Sequence, residues 1–221
     1  MKVTIDACVL GAWAPVPQGP CRVLDIGTGT GLLSLMIAQR APEAMIDAVE
    51  LDAEAAAQAT ENVVASPFAD RVRVRQGNVL ELNFPARYDL IVVNPPFFEN
   101  QLRGINEARN AARHTNTLSP GSLAALIAQL LKPEGSAVLL LPLNESESRI
   151  ALFEQYGLRR AQCLTFYGAP QGRKPRTIGI WNHSGISGTD TAPGETFVLY
   201  DAPGVLSRSA TDLLRPFYLA L

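Results

Sequence analysis

One run constrains the fold of this chain more than any other: Tyr88-Asp89-Leu90-Ile91-Val92-Val93, closed by Asn94-Pro95-Pro96-Phe97. A short continuous apolar run with a sharp stop reads as a strand buried on both faces. The two prolines end it, because neither can donate a ladder hydrogen bond. Asn94 is left at the carboxyl end of the strand, where open α/β sheets bind ligands. Its amide offers a carbonyl acceptor and two N–H donors. Pro95 keeps a free carbonyl, and Phe97 offers a flat face for stacking. Together these groups suit a planar ligand bearing an NH2. A plain strand exit with a buried Phe explains any one of the four residues, but accounts poorly for all four in a row.

The rest of the chain alternates strand and helix patterns around this run. Arg22–Ile26, Met45–Val49, Val72–Gln76 and Ala137–Leu141 read as strands, with helices over residues 32–40, 53–64, 121–131 and 145–156. Near the front, Asp6 is the expected N-cap of a short helix Ala7–Trp13. Further strands are expected near 158–166 and 176–182, a short one over Glu195–Tyr200, and a terminal helix over Thr211–Leu219 interrupted by Pro216. Strands alternating with helices imply an α/β fold built on a mainly parallel sheet. Residues 97–120 lack strong periodicity, and a connection that long in a compact domain is usually functional. Residues 183–194, rich in Ser, Gly and Thr, read as a loop.

Length and composition set the outer limits. The 221 residues fit a single domain spanning 1–221, and 47% hydrophobic residues support a sizeable core. A formal net charge of −2 argues against a general nucleic-acid binder but leaves room for a local basic patch. Cys8, Cys21 and Cys163 show no close pairing and read as free thiols in a reducing cytoplasm. His114 and His183 have no carboxylates or thiols at ligand spacing, so no metal is expected. No apolar run approaches a membrane span. Residues 1–20 lack the apolar core of a signal peptide. A monomer is the expected state.

A second constellation lies upstream. Gly27-Thr28-Gly29-Thr30-Gly31 sits between a strand and a helix. Its spacing is not that of a dinucleotide loop, and no Gly-Lys-Ser/Thr follows to make a triphosphate loop. Asp25 before it places a carboxylate that repels pyrophosphate and attracts an ammonium. Glu50 ends the next strand about 20 residues on, where an acid holds ribose hydroxyls. A ligand combining an amino acid with a nucleoside satisfies both, and S-adenosylmethionine is such a ligand. The alternatives are a helix-capping acid at Asp25 and a solvated strand end at Glu50.

Val23–Gly31, Ala48-Val49-Glu50-Leu51-Asp52 and Asn94-Pro95-Pro96-Phe97 together resemble the class I S-adenosylmethionine-dependent methyltransferases that act on amino groups. Met1-Lys2-Val3 to Leu10-Gly11-Ala12-Trp13-Ala14-Pro15, the segment Arg109 to Thr117-Leu118 and the ending Phe217-Tyr218-Leu219 are similar to the bacterial enzymes that methylate an adenosine beside the anticodon of a valine tRNA. The likeness spans most of the chain and is weakest over residues 143–205. It implies a Rossmann-like, seven-stranded sheet of order 3-2-1-4-5-7-6 with strand 7 antiparallel and helices on both faces. It implies S-adenosylmethionine as cofactor, held by Asp6, Asp25, Gly27, Thr28, Gly29, Gly31, Glu50, Leu51, Asn78 and Asn94. The segment 1–20 is expected to cover the cofactor and 97–120 to face the substrate. The sequence departs from the family pattern in three places. Ile5 stands where Thr is expected before Asp6. Asn78 occupies the place of an acid after strand 3, and an ordinary turn asparagine is the alternative there. The family also carries residues upstream of Met1, so the chain reads as a shortened version or a late start.

In the chemistry this implies, Asn94 and the Pro95 carbonyl accept hydrogen bonds from the exocyclic amine of adenine and Phe97 stacks on the base, with Pro96 fixing the turn. No metal and no dedicated base are needed. The adenosine must leave its stack to reach the site. Phosphate contact falls to Arg109, Arg113 and His114, with Arg103 nearby, and to Arg173, Lys174 and Arg176, for which a solvated loop is the alternative. Phe98 is a second candidate wall, and Tyr167 and Trp181 are read as core rather than stacking residues. Guanine in RNA, adenine in DNA and a protein glutamine also present planar amines. A non-catalytic RNA-binding protein that kept the fold is the reading from a different class.

Overall fold

The computed structural model describes residues 3–95, 118–168, 174–185 and 194–219. Pro96, Phe97, Phe98, Arg103, Arg109, Arg113, His114 and Arg173 lie outside the described residues.

Six segments in the first part of the chain lay down the sheet and its first layer: α1 (Ile5–Trp13), β1 (Cys21–Ile26), α2 (Leu32–Arg40), β2 (Ala44–Glu50), α3 (Ala53–Val64) and β3 (Val72–Gln76). Then come β4 (Tyr88–Val93), α4 (Pro120–Leu130), β5 (Leu131–Pro142), the short helices α5 (Leu143–Ser148) and α6 (Ile150–Gln155), β6 (Leu158–Tyr167) and β7 (Arg176–His183). The chain closes with β8 (Glu195–Val198), β9 (Tyr200–Ala202), β10 (Val205–Leu206), α7 (Arg208–Leu214) and a single 3-10 turn at Arg215–Phe217. Among the described residues no helix is long and apolar enough to cross a membrane.

The sheet runs β3-β2-β1-β4-β5-β7-β6-β8. Strands β3, β2, β1, β4 and β5 are parallel, and β7 is antiparallel to both β5 and β6. The expected order is therefore present, with one correction: eight strands rather than seven. Glu195–Val198 pairs parallel to β6 along its outer edge and supplies partners to backbone groups that an edge strand would leave open.

β4 shows why its residues are all apolar. Leu90 and Val92 join one core cluster, with residues of α1, α2 and α7; Ile91 and Val93 join the other, with residues of α4 and α6. All four are at most 1% exposed, and burial of each stabilises the fold by roughly 1.5–3 kcal/mol.

Local signals explain most boundaries. Asp52 and Ser119 accept hydrogen bonds from Ala55 N and Ser122 N, capping α3 and α4. The front helix differs from expectation: Thr4, not Asp6, is its N-cap, its hydroxyl accepting from Ala7 N at 3.3 Å. Asp6 falls in the first turn instead, which frees its carboxylate for a distant partner. The expected helix 145–156 is split at Arg149, and the expected terminal helix ends at Leu214, one residue before the 3-10 turn that contains Pro216. No helix intervenes between β3 and β4. Residues 77–87 turn back directly, and Leu82 and Phe84 pack against the core from that turn.

Candidate active site

The site forms where β1, β2 and β4 end side by side. Parallel register sets Ile26 against both Val49 and Val93. The residues that follow, the glycine loop, Glu50 and Asn94, therefore emerge at one level of the sheet edge.

The loop after β1 is pinned to the end of β2. Gly27 N and Thr28 N both donate to the Val49 carbonyl, at 2.9 and 3.0 Å. Gly27 has φ 72°, which only glycine adopts without strain, and a Cβ there would meet nothing within 4 Å. Its requirement is thus conformational, with open space beside it. Gly31, at φ 85°, caps α2, and a Cβ there would stand 3.5–3.6 Å from Ala59 of α3.

Asp25 is completely buried. Its Oδ2 accepts from Thr28 Oγ1 at 2.6 Å and from Ser34 Oγ at 2.7 Å. Its Oδ1 has no hydrogen-bond partner. Burial pushes the carboxyl up to about 6; the hydroxyls of Thr28 and Ser34 and the Ser34 amide oppose that rise, and the charge of Glu50 adds to it. Glu50, 7% exposed, is held rigid by two backbone amides. Oε2 accepts from Gly29 N at 2.8 Å and Oε1 from Asp52 N at 2.9 Å. Each oxygen keeps a lone pair for a further donor. Leu51 beside it is 48% exposed, an apolar surface at the rim.

Asn94 and Pro95 are half-buried at the end of β4. Among the described residues the Asn94 side chain has no hydrogen-bond partner. Asn78 is engaged locally: its Oδ1 accepts from Leu80 N at 3.1 Å and its Nδ2 donates to Glu81 Oε1 at 2.8 Å. That is the turn-forming use of asparagine.

Two expected site residues meet each other. The Arg176 Nε is 3.6 Å from Asp6 Oδ2, and both side chains are only 16–17% exposed. Arg176, expected to face RNA phosphate, is thereby tied to α1, whereas Lys174 is exposed. Trp181 is core, stacked at a tilt on Phe153 with ring centroids 4.6 Å apart. Ser34 is a site residue that sequence reasoning missed. Its only signal was a small polar side chain inside the apolar run Leu32-Leu33-Ser34-Leu35-Met36-Ile37.

A mostly parallel sheet with an antiparallel β7, a glycine loop after β1 and acids at the ends of β1 and β2 define a Rossmann-like methyltransferase. Solved structures agree on the fold. A predicted O-methyltransferase from Agrobacterium tumefaciens superposes with a TM-score of 0.64 at 17% identity, over 95% of both chains. The precorrin-6y C5,15-methyltransferase of Geobacter metallireducens gives 0.57 at 18% identity, over 81% of this chain and 87% of that one. The chain belongs to the methyltransferase small domain family, whose profile matches residues 16–133. Curated relatives extend the likeness to the whole chain. The tRNA1(Val) (adenine(37)-N6)-methyltransferase of Dyadobacter fermentans is 40% identical over 99% of this chain and 91% of its own. The protein of the same name from Aeromonas salmonicida is 39% identical over 100% and 92%.

Methyltransferases of this fold depend in general on S-adenosylmethionine, and the residues present fit it. The orphaned Oδ1 of Asp25 calls for a cationic or N–H donor. The space beside Gly27, two residues on, is open. Glu50 is an oriented acceptor pair suited to vicinal hydroxyls.

Proposed function

We propose that this protein transfers a methyl group from S-adenosylmethionine to the exocyclic amine of an adenosine in tRNA, beside the anticodon of a valine tRNA. The observation that carries the chemistry is the register that brings Asp25, Glu50 and Asn94 to one edge of the sheet. The choice of tRNA and base is supported by the names of relatives matched over nearly their whole length.

The cofactor supplies an electrophilic methyl group on a sulfonium. Asp25 and the glycine loop hold its amino-acid end, and Glu50 accepts from its ribose hydroxyls. Leu51 offers an apolar surface to its adenine, with Asn78 at the same rim. On the substrate side, the Asn94 carbonyl and the Pro95 carbonyl accept the two amine hydrogens. This draws them out of the ring plane and directs the nitrogen lone pair at the methyl group. Phe97, two residues on in sequence, stacks on the base, a contact worth on the order of 1–3 kcal/mol. The amine proton is lost only as the new C–N bond forms, so no strong base is required. Residues 1–20 cover the cofactor and residues 97–120, with Arg109, Arg113 and His114, meet the RNA, as does Lys174. The chain is read as one domain, working in the cytoplasm.

The test is mass spectrometry of nucleosides from unmodified tRNA incubated with enzyme and labelled cofactor. N6-methyladenosine at the position beside the anticodon is the expected product. Label in guanosine, or none in RNA, overturns the reading.

A further inference from the structure

Among the described residues the second face of the sheet has no helix over its β2–β3 corner, because residues 77–87 join β3 to β4 without one. Alternation along the strands fixes what lies there. Val72 and Val74 pack into the first core cluster, as do Ile46 and Ala48 of β2 and Cys21 and Val23 of β1. Their neighbours Arg73, Arg75, Met45, Asp47 and Arg22 therefore point to the other face. Register sets Arg73 beside Asp47 and Arg75 beside Val49, and Arg22 beside Met45.

An ordinary sheet face at this position would be apolar and covered. Instead Met45 is 51% exposed, and Arg73 is exposed with no side-chain partner among the described residues. The other two guanidinium groups lie on aromatic rings. Arg75 stands 5.0 Å over Phe84 and Arg22 5.6 Å over Tyr88, and those rings contact each other edge to face at 6.0 Å. Asp47, the acid of this patch, is already occupied by Arg22 at 3.1 Å and the Tyr88 hydroxyl at 2.7 Å. Three guanidinium groups, those of Arg22, Arg73 and Arg75, thus share this face with the already neutralised Asp47, on a chain whose overall charge is −2. The strand that carries Arg73 and Arg75 ends at Gln76, paired with Glu50 of the cofactor site, so the patch leads away from the site along the sheet edge.

We propose that this arginine face binds the sugar–phosphate backbone of the tRNA at a distance from the methylated base. The inference rests on the tRNA reading above and extends it to a surface outside the catalytic edge. Guanidinium groups held by aromatic rings and spread over an open face match an extended row of phosphates. Such contacts position the RNA without reading its sequence.

The test uses the whole chain carrying Arg73→Glu and Arg75→Glu together, with Arg73→Gln and Arg75→Gln as a milder second variant. Steady-state methylation is measured against tRNA concentration at several salt concentrations, with cofactor affinity and melting temperature recorded in parallel. The glutamate pair is expected to raise KM for tRNA at least tenfold and to lower the salt slope by about 2. Turnover at saturating tRNA and cofactor affinity should stay within twofold of the parent, and the glutamine pair should fall between. A folded, active variant with unchanged KM and salt slope overturns the proposal. A parent enzyme that methylates no tRNA refutes the underlying reading instead, so the two failures are distinguishable.

Discussion

Asp25→Asn should make the cofactor-free protein more stable while crippling cofactor binding. The carboxyl is completely buried and titrates near 6 in the fold against 3.8 when unfolded. A group whose folded pKa is raised contributes stability that is fully present below the unfolded value and lost as pH rises through the folded one. The gap between those two values corresponds to about 3 kcal/mol of penalty at pH 8 and about 1.6 kcal/mol at pH 5. Asparagine removes that penalty, since its carbonyl still accepts from Thr28 and Ser34. Its NH2 takes the place of an oxygen that has no hydrogen-bond partner, which costs about 1–2 kcal/mol. The net gain at pH 8 is therefore about 1–2 kcal/mol, or roughly 2–8 °C in melting temperature for a chain of this size. Urea melts of both proteins at pH 8 and pH 5 provide the assay. The advantage of the variant should shrink by about 1.4 kcal/mol between them, whatever the amide costs, because only the carboxyl titrates. Calorimetry should show cofactor affinity at pH 8 falling at least tenfold. A stability difference that does not change with pH would refute the burial argument for Asp25.

Three further outcomes are expected. Asn94→Ala should lower methyl transfer on the order of 100-fold with an unchanged melting temperature, since its side chain bonds no other described residue; near-normal turnover would remove it from the chemistry. Ser34→Ala should lose about 1.5–3 kcal/mol, the worth of a buried hydrogen bond to a charged acceptor, and weaken cofactor binding through Asp25; a denaturation curve superimposable on the parent counts against this. Tyr88→Phe should lose a similar amount of stability by breaking the 2.7 Å bond to Asp47 while leaving turnover within twofold, as read by parallel melts and methylation assays.

Much of this protein is determined by local chemistry and so was legible in its sequence. The apolar run 88–93 ending in prolines, the glycines after Ile26 and the acid after Val49 specify a parallel sheet and its ligand edge, because strand period, proline geometry and glycine conformation act over a few residues. The helix over residues 53–64 follows the same logic, as does the core placement of Trp181, whereas Tyr167, read with it as core, is 38% exposed. Other features depended on partners far away in the chain. Only the tertiary structure revealed that Ser34 holds Asp25, that Asp6 reaches Arg176 across about 170 residues, and that Glu195–Val198 adds an eighth strand. It alone turned Arg22, Arg73 and Arg75 from scattered charges into one face. Each of these depends on register and packing between distant segments, which the order of residues along the chain does not express. At the loop after β1 the two levels meet: sequence places a carboxylate beside glycines, and the fold buries that carboxylate, leaves one oxygen unpartnered and so prepares it for a ligand.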